Sequence, residues 1–286
     1  MRRTFLPGNW QAAGLSLLVL AVVAGCTRAG AGRQTITIKG SDTMVILGQR
    51  WAEEYMRRHP EVHIQVTGGG SGTGIAALIN GTTRVAQASR KMTPAERGQA
   101  ERRHGKPVRE IVTAMDGVAV YVNEGNPVES LTLAQVRALY TGQITNWKDV
   151  GGPDLPVVLY GRENNSGTYV FVKEHVLEGA DYSPSTRTLS GTAAVVSAVA
   201  SDPGGVGYGG IAYGRGVRHL KIRLNPSSPA VGPSLETVRS GAYPLARPLH
   251  WYLVDDGDPA VQALVDWVLS PEGQRIVDEV GYFPIR

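Results

Sequence analysis

Residues 35–79 read TITIKGSDTMVILGQRWAEEYMRRHPEVHIQVTGGGSGTGIAALI, and one design occurs in them twice. Thr35-Ile36-Thr37-Ile38 alternates polar and apolar residues with the period of two that a strand imposes. Gly40-Ser41-Asp42-Thr43 then supplies a turn and a helix cap. From Met44 to Arg58 the apolar Leu47, Trp51 and Tyr55 recur at every fourth residue, the spacing of one buried helical face. Pro60 ends that helix, since it has no backbone N–H to continue the ladder. The unit begins again at once: Val62-His63-Ile64-Gln65-Val66 reads as a strand, Gly68–Gly74 as a glycine-rich turn and Ile75–Ile79 as a helix. Strands alternating with helices predict an α/β fold with a mostly parallel sheet.

Downstream the same grammar continues. Val85–Ala88 reads as a short strand, Val118–Val122 as another, and Leu133–Tyr140 as a helix whose Thr132 and Gln135 match a capping box. Pro156–Tyr160 leads as a strand into a third Gly/Ser/Thr turn at Gly161–Thr168, followed by a helix over Tyr169–Leu177. Thr192–Ala200 reads as helical, and Val206–Tyr208 and Leu249–Val254 as extended. Helices over Val261–Val268 and Pro271–Val280 close the chain, the second with proline at a favoured first position.

Upstream, Arg2 and Arg3 precede an apolar run from Ala12 to Ala24 that is too short to span a bilayer. A basic start, a short apolar core and small residues describe a secretory signal peptide over residues 1–25. Val23-Ala24-Gly25-Cys26 resembles the lipobox of bacterial lipoproteins, which makes Cys26 the expected lipidation site and the protein anchored rather than spanning. Cys26 is the only cysteine, so its alternative is a free thiol or an intermolecular bridge. Removing the signal leaves about 260 residues, of which residues 26–34 read as a small, polar linker ahead of the folded part. With 42% hydrophobic and 19% charged residues that part is an ordinary globular protein, not a disordered one. Of the net charge of +4, Arg2 and Arg3 supply two, and the small remainder gives no argument for nucleic acid.

Three segments share one local construction, in which a strand delivers the chain to a Gly/Ser/Thr turn that starts a helix: Gly40–Met44, Gly69–Thr73 and Asn165–Tyr169. Each exposes unpaired backbone N–H groups at the positive end of a helix, where an oxyanion can bind without a cationic side chain. Glycine lets the backbone approach, and Ser and Thr add short donors. Any one of these turns alone reads as a simple cap. Arg162 lies four residues before Ser166, and Arg90 follows Ala88-Ser89. A planar guanidinium matches phosphate oxygens bidentately, the alternative for either being a surface ion pair.

Gly40-Ser41-Asp42-Thr43-Met44, Gly68–Gly74, Ala88-Ser89-Arg90 and Arg162 through Ser166-Gly167-Thr168 resemble the successive ligand loops of the periplasmic phosphate-binding proteins of ABC transporters. Leu131–Leu133, Tyr140–Trp147, Asp202–Tyr208 and Tyr243–Leu249 are similar to that family too, so the resemblance runs from about residue 35 to the C-terminus. It implies a type II periplasmic binding protein: α/β, two lobes, each a mostly parallel sheet flanked by helices, with the ligand in the interlobe cleft. Residues 35–117 and 246–286 would form lobe I, and residues 118–245 lobe II. Thr43, the Met44 amide and Ser71 would bind from one lobe, Arg162, Ser166, Gly167 and Thr168 from the other, with Ser41, Ser89 and Arg90 among the ligand loops. The implied role is high-affinity capture of inorganic phosphate outside the cytoplasmic membrane and its delivery to a transporter permease by a lipid-anchored monomer, with no metal or cofactor.

One departure bears on selectivity. Where members of that family carry Ser-Asp, with the aspartate accepting a proton from the phosphate, this chain has Ser89-Arg90. Such a carboxylate rejects sulfate, which has no proton to give. Asp42 and Asp116 are candidate replacements, although Asp42 equally reads as a cap and Asp116 as a partner for an arginine. A phosphate sensor, or a binder of sulfate, molybdate or an organic phosphate, uses the same fold. A serine hydrolase or phosphatase is disfavoured, because Gly69-Gly70-Ser71-Gly72-Thr73 lacks the last glycine of a nucleophile elbow and no base is nominated nearby. His59 and His63 are four apart, but Pro60 breaks the helix that would align them as metal ligands. No phosphate-cradling G-x-x-x-x-G-K-[ST] occurs, Gly72–Ala77 fits a dinucleotide fingerprint only loosely, and the basic stretch Arg97–Arg109 lacks interleaved aromatics.

Overall fold

The computed structural model describes residues 34–285. The expected signal peptide, Cys26 and all of the expected linker except Gln34 lie outside the described residues. The chain opens with β1 (Gln34–Gly40), α1 (Val45–Arg58), β2 (Val62–Thr67), α2 (Ser71–Ile79), β3 (Val85–Ala88) and α3 (Pro94–His104). Strand–helix–strand returns bring the chain back in its starting direction, and β1 lies between β2 and β3, parallel to both. Next come β4 (Val108–Val122), β5 (Ser130–Thr132), α4 (Leu133–Tyr140), β6 (Val158–Arg162), α5 (Gly167–His175), β7 (Arg187–Leu189), α6 (Thr192–Ser201), β8 (Gly205–Gly210), β9 (Arg218–His219), β10 (Lys221–Arg223) and α7 (Leu235–Arg239). Last are β11 (Ala246–Val254), α8 (Pro259–Leu269) and α9 (Pro271–Val280).

Eight strands form one path, β2-β1-β3-β11-β4-β8-β6-β7, with β9 against β4, while β10 and β5 pair apart. The fifteen-residue β4 is shared: its stretch 108–117 pairs with β11 and its stretch 118–122 with β8. Packing divides the same way. Trp51, Trp251, Leu264 and Ile276 belong to one core, with the Trp51 and Trp251 rings edge to face at 5.4 Å. Tyr140, Trp147, Leu159 and Tyr208 belong to another. Two cores joined by through-running strands make a two-lobed α/β molecule.

The sheet is mixed. The expected parallel pairs are present on both sides, β1 with β2 and β3, and β6 with β7 and β8. Antiparallel pairs are added where β11 meets β3 and β4, and where β4 meets β8. For β4 and β11 the reason is topological: a chain that passes from one lobe to the other and back travels in opposite directions on its two crossings.

Two helices start earlier than their apolar pattern predicts. α2 begins at Ser71 and takes in Gly72 and Gly74, residues that read as turn. A Cβ at Gly74 would stand 2.3 Å from the Lys39 carbonyl oxygen, so glycine is there to let the helix lie on β1. α5 begins at Gly167 rather than Tyr169. Residues 108–115, unassigned from sequence, are half of β4. Among the described residues no helix is long and apolar enough to cross a membrane.

Candidate anion-binding site

The three strand-to-helix corners meet. At the first, Thr43 is 1% exposed and its Oγ1 lies 3.0 Å from Thr168 Oγ1 of α5. Ser41 stands before this short turn without a side-chain cap bond, and the Met44 amide donates to the Ser41 carbonyl at 2.9 Å. At the second, Ser71 Oγ accepts from the Ser89 amide at 3.0 Å and lies 3.3 Å from Ser89 Oγ. At the third, Ser166 Oγ caps α5 by accepting from the amides of Thr168 at 3.2 Å and Tyr169 at 3.4 Å. A Cβ on Gly167 would stand 2.4 Å from Ser71 Oγ and 2.7 Å from Ser89 Oγ, so only glycine allows this approach. Hydroxyls of Thr43, Ser71, Ser89 and Thr168 thus converge from both lobes.

Two buried guanidinium groups flank them. Arg162, 2% exposed at the end of β6, donates from Nη2 to Asp42 Oδ2 at 2.7 Å and from Nη1 to Thr192 Oγ1 at 2.8 Å. Its Nε, also buried, has no partner among the described residues. Burial pulls the Arg162 pKa below its ordinary value while the adjacent Asp42 carboxylate opposes this, and the group stays cationic. Asp42 serves as this ion-pair partner, its Oδ1 accepting from the Gly69 amide at 2.8 Å.

The second guanidinium, Arg247, was not singled out in the sequence. It lies on β11 at the lobe crossing, opposite Asp116 of β4. Nε and Nη2 donate to Asp116 Oδ2 at 3.0 and 2.8 Å, Nη1 to the Ser89 carbonyl at 3.0 Å and Nη2 to Thr168 Oγ1 at 2.9 Å. Asp116 is fully buried and its Oδ1 accepts from the Ile211 amide at 3.2 Å. A local signal existed in the arginine directly preceding Pro248 and an apolar strand, but the partner that makes it informative is 131 positions away.

Arg90 is not brought to this cluster. Its Nη1 and Nη2 grip the Glu96 carboxylate at 2.9 and 2.7 Å, and Nη1 also donates to the Lys91 carbonyl. Ser89 and Arg90 lie past the end of β3, in the bend that leads to α3. Ser89 faces the corners, and Arg90 is left to the start of α3.

A set of short hydroxyl donors, close backbone and two guanidinium groups is chemistry for a small oxyanion. Residues 27–272 match the family described as the PBP superfamily domain. The chain is 34% identical over 263 residues to the phosphate-binding protein PstS of Pseudomonas aeruginosa, covering 86% of this chain and 81% of that protein. This chain belongs to the PstS family of phosphate-binding proteins. PstS of Bacillus subtilis is 28% identical, over 95% of this chain and 93% of its own length. Among solved structures, a phosphate ABC transporter substrate-binding protein of Clostridium perfringens with bound phosphate superposes with a TM-score of 0.81 at 28% identity, covering 88% of this chain and 100% of that one. An ABC-type phosphate transport receptor of Vibrio cholerae gives 0.69 at 28% identity, covering 87% and 99%. Members of this family bind and deliver substrate. The hydroxyl cluster of this chain is suited to that, offering donors to an oxyanion from both lobes.

Proposed function

We propose that this chain binds inorganic phosphate between its lobes with high affinity and delivers it to the permease of an ABC transporter. The observation that carries the reading is the convergence of the Thr43, Ser71, Ser89 and Thr168 hydroxyls with the buried Arg247 guanidinium, beside the buried Arg162, which pairs with Asp42 next to Thr43. Thr43, Ser71, Ser89, Arg162, Gly167 and Thr168 would contact the anion, and Arg247 would join them. The Met44 amide and the Ser166 hydroxyl would hold their corners in place. Lobe I is taken as residues 35–117 and 246–286 and lobe II as residues 118–245, in keeping with the change of strand partner along β4. Micromolar affinity corresponds to about 8 kcal/mol, within reach of several charge-assisted bonds once ordering costs are met.

The protein would work as a monomer outside the cytoplasmic membrane, held by acyl chains on Cys26. Replacing Cys26 with alanine should move the protein from the detergent to the aqueous phase on partition; unchanged partition would remove the anchor. Calorimetry of the mature protein against phosphate, sulfate and molybdate from pH 5 to 8 tests the ligand. Phosphate should bind tightest, and Arg162→Ala should weaken it by roughly 2–5 kcal/mol, the cost of deleting a desolvated charge partner. Sulfate bound as tightly as phosphate would leave a general oxyanion binder instead.

A further inference from the structure

We propose that Asn165 is an interlobe latch, which sets phosphate affinity by holding the lobes closed without touching the anion. The inference rests on the phosphate reading above. Asn165 lies between β6 and α5, and the corner Gly69–Thr73 that starts α2 comes from the opposite lobe. Across this boundary the Gly72 amide donates to the Asn165 carbonyl at 2.9 Å. The Asn165 side-chain amide donates to the Gly69 carbonyl at 3.0 Å and to Thr73 Oγ1 at 3.2 Å. No strand pairing ties these two loops together. An opened cleft returns all these groups to water, so the three bonds stabilise the closed form alone.

The approach is as tight as backbone allows. A Cβ at Gly70 would stand 2.8 Å from the Asn165 carbonyl oxygen, and one at Gly72 would stand 3.3 Å from it. Gly70 also has φ of +88° and Gly69 of +110°, values that side chains disfavour. The latched corner is the one that carries Ser71, and its Gly69 amide donates to Asp42, the partner of Arg162. The latch therefore fixes the loop that presents a ligand hydroxyl and the carboxylate that orients a ligand guanidinium. Apparent affinity scales with the population of the binding-competent form, and a contact present only in that form acts mainly on release.

The test is a double-mutant cycle on the mature protein with Asn165→Ala and Thr73→Val. Phosphate affinity is read by calorimetry, release by stopped flow, and thermal midpoints without phosphate. Asn165→Ala should weaken phosphate roughly tenfold, as expected for losing two side-chain hydrogen bonds, with faster release and an unchanged phosphate-free midpoint. Thr73→Val should weaken binding in the parent and have no further effect once Asn165 is alanine. Affinity of Asn165→Ala within about twofold of the parent, or a phosphate-free midpoint that falls along with affinity, would overturn the latch. A parent protein that itself fails to bind phosphate would overturn the ligand reading and the latch together, which separates the two failures.

Discussion

Arg247 is 3% exposed, with its guanidinium spread over Asp116, Ser89 and Thr168 and stacked at 5.2 Å over the Phe171 ring. A buried ion pair of this kind costs desolvation on both sides and is held by the completeness of its hydrogen bonds. Removing one partner leaves the other charged and unsolvated. Arg247→Met should therefore lower phosphate-free stability by about 3–5 kcal/mol, because Asp116 remains buried without its cation. Urea unfolding measures this, and replacing Asp116 with leucine in the same protein should recover most of the loss. A single Arg247→Met that unfolds at the parent's urea concentration would mean that the pair adds nothing to the stability of the phosphate-free fold.

At the scale of an element, α3 shows how a residue beside the site is drawn into a structural role. Thr93 Oγ1 accepts from the Glu96 amide at 3.2 Å while Glu96 accepts from the Thr93 amide at 2.8 Å, a reciprocal cap. The same carboxylate takes Arg90. Burial raises the Glu96 pKa, but the Arg90 and Thr93 bonds outweigh it and leave it below the usual carboxylate range. The folded pKa is depressed, so this clamp stabilises the fold at neutral pH and is lost as pH falls through that depressed value. Thr93→Ala should cost about 1 kcal/mol of stability in urea and leave phosphate affinity within error. A large loss of affinity would place the α3 start, and Arg90 with it, in the binding machinery.

At the scale of the whole molecule, buried tyrosines set the alkaline limit. Tyr208 and Tyr213 are pushed up to about 12, in both cases first of all by burial. Tyr208 reaches into the polar interior behind Arg162, and Tyr213 donates to the Asp42 carbonyl at 2.7 Å. The folded protein thus keeps protons that the unfolded chain gives up near the ordinary tyrosine pKa of about 10. Their contribution is full below pH about 10 and is lost as pH climbs toward 12. Phenolate absorbance from these residues should appear together with the loss of far-UV circular dichroism. Complete tyrosine titration near pH 10 with the fold intact would contradict that burial.

Local rules already determined much of this protein. The apolar spacing of Leu47, Trp51 and Tyr55, the Thr132–Gln135 cap and the proline at 271 depend on neighbours within a turn or two, so α1, α4 and α9 could be read directly from the sequence. The three glycine-, serine- and threonine-bearing corners were legible for the same reason, as was Arg162 four residues before one of them. What only the tertiary structure decided depends on pairings between distant residues. Arg247 meets Asp116 across 131 positions, the glycines at 74 and 167 are demanded by Lys39 and Ser71, and Arg90 is taken up by Glu96 while Ser89 meets Ser71. Local periodicity places a residue on its own element; charge pairing and close approach are fixed by which elements become neighbours, and that is settled only when both lobes have folded around their crossing strands.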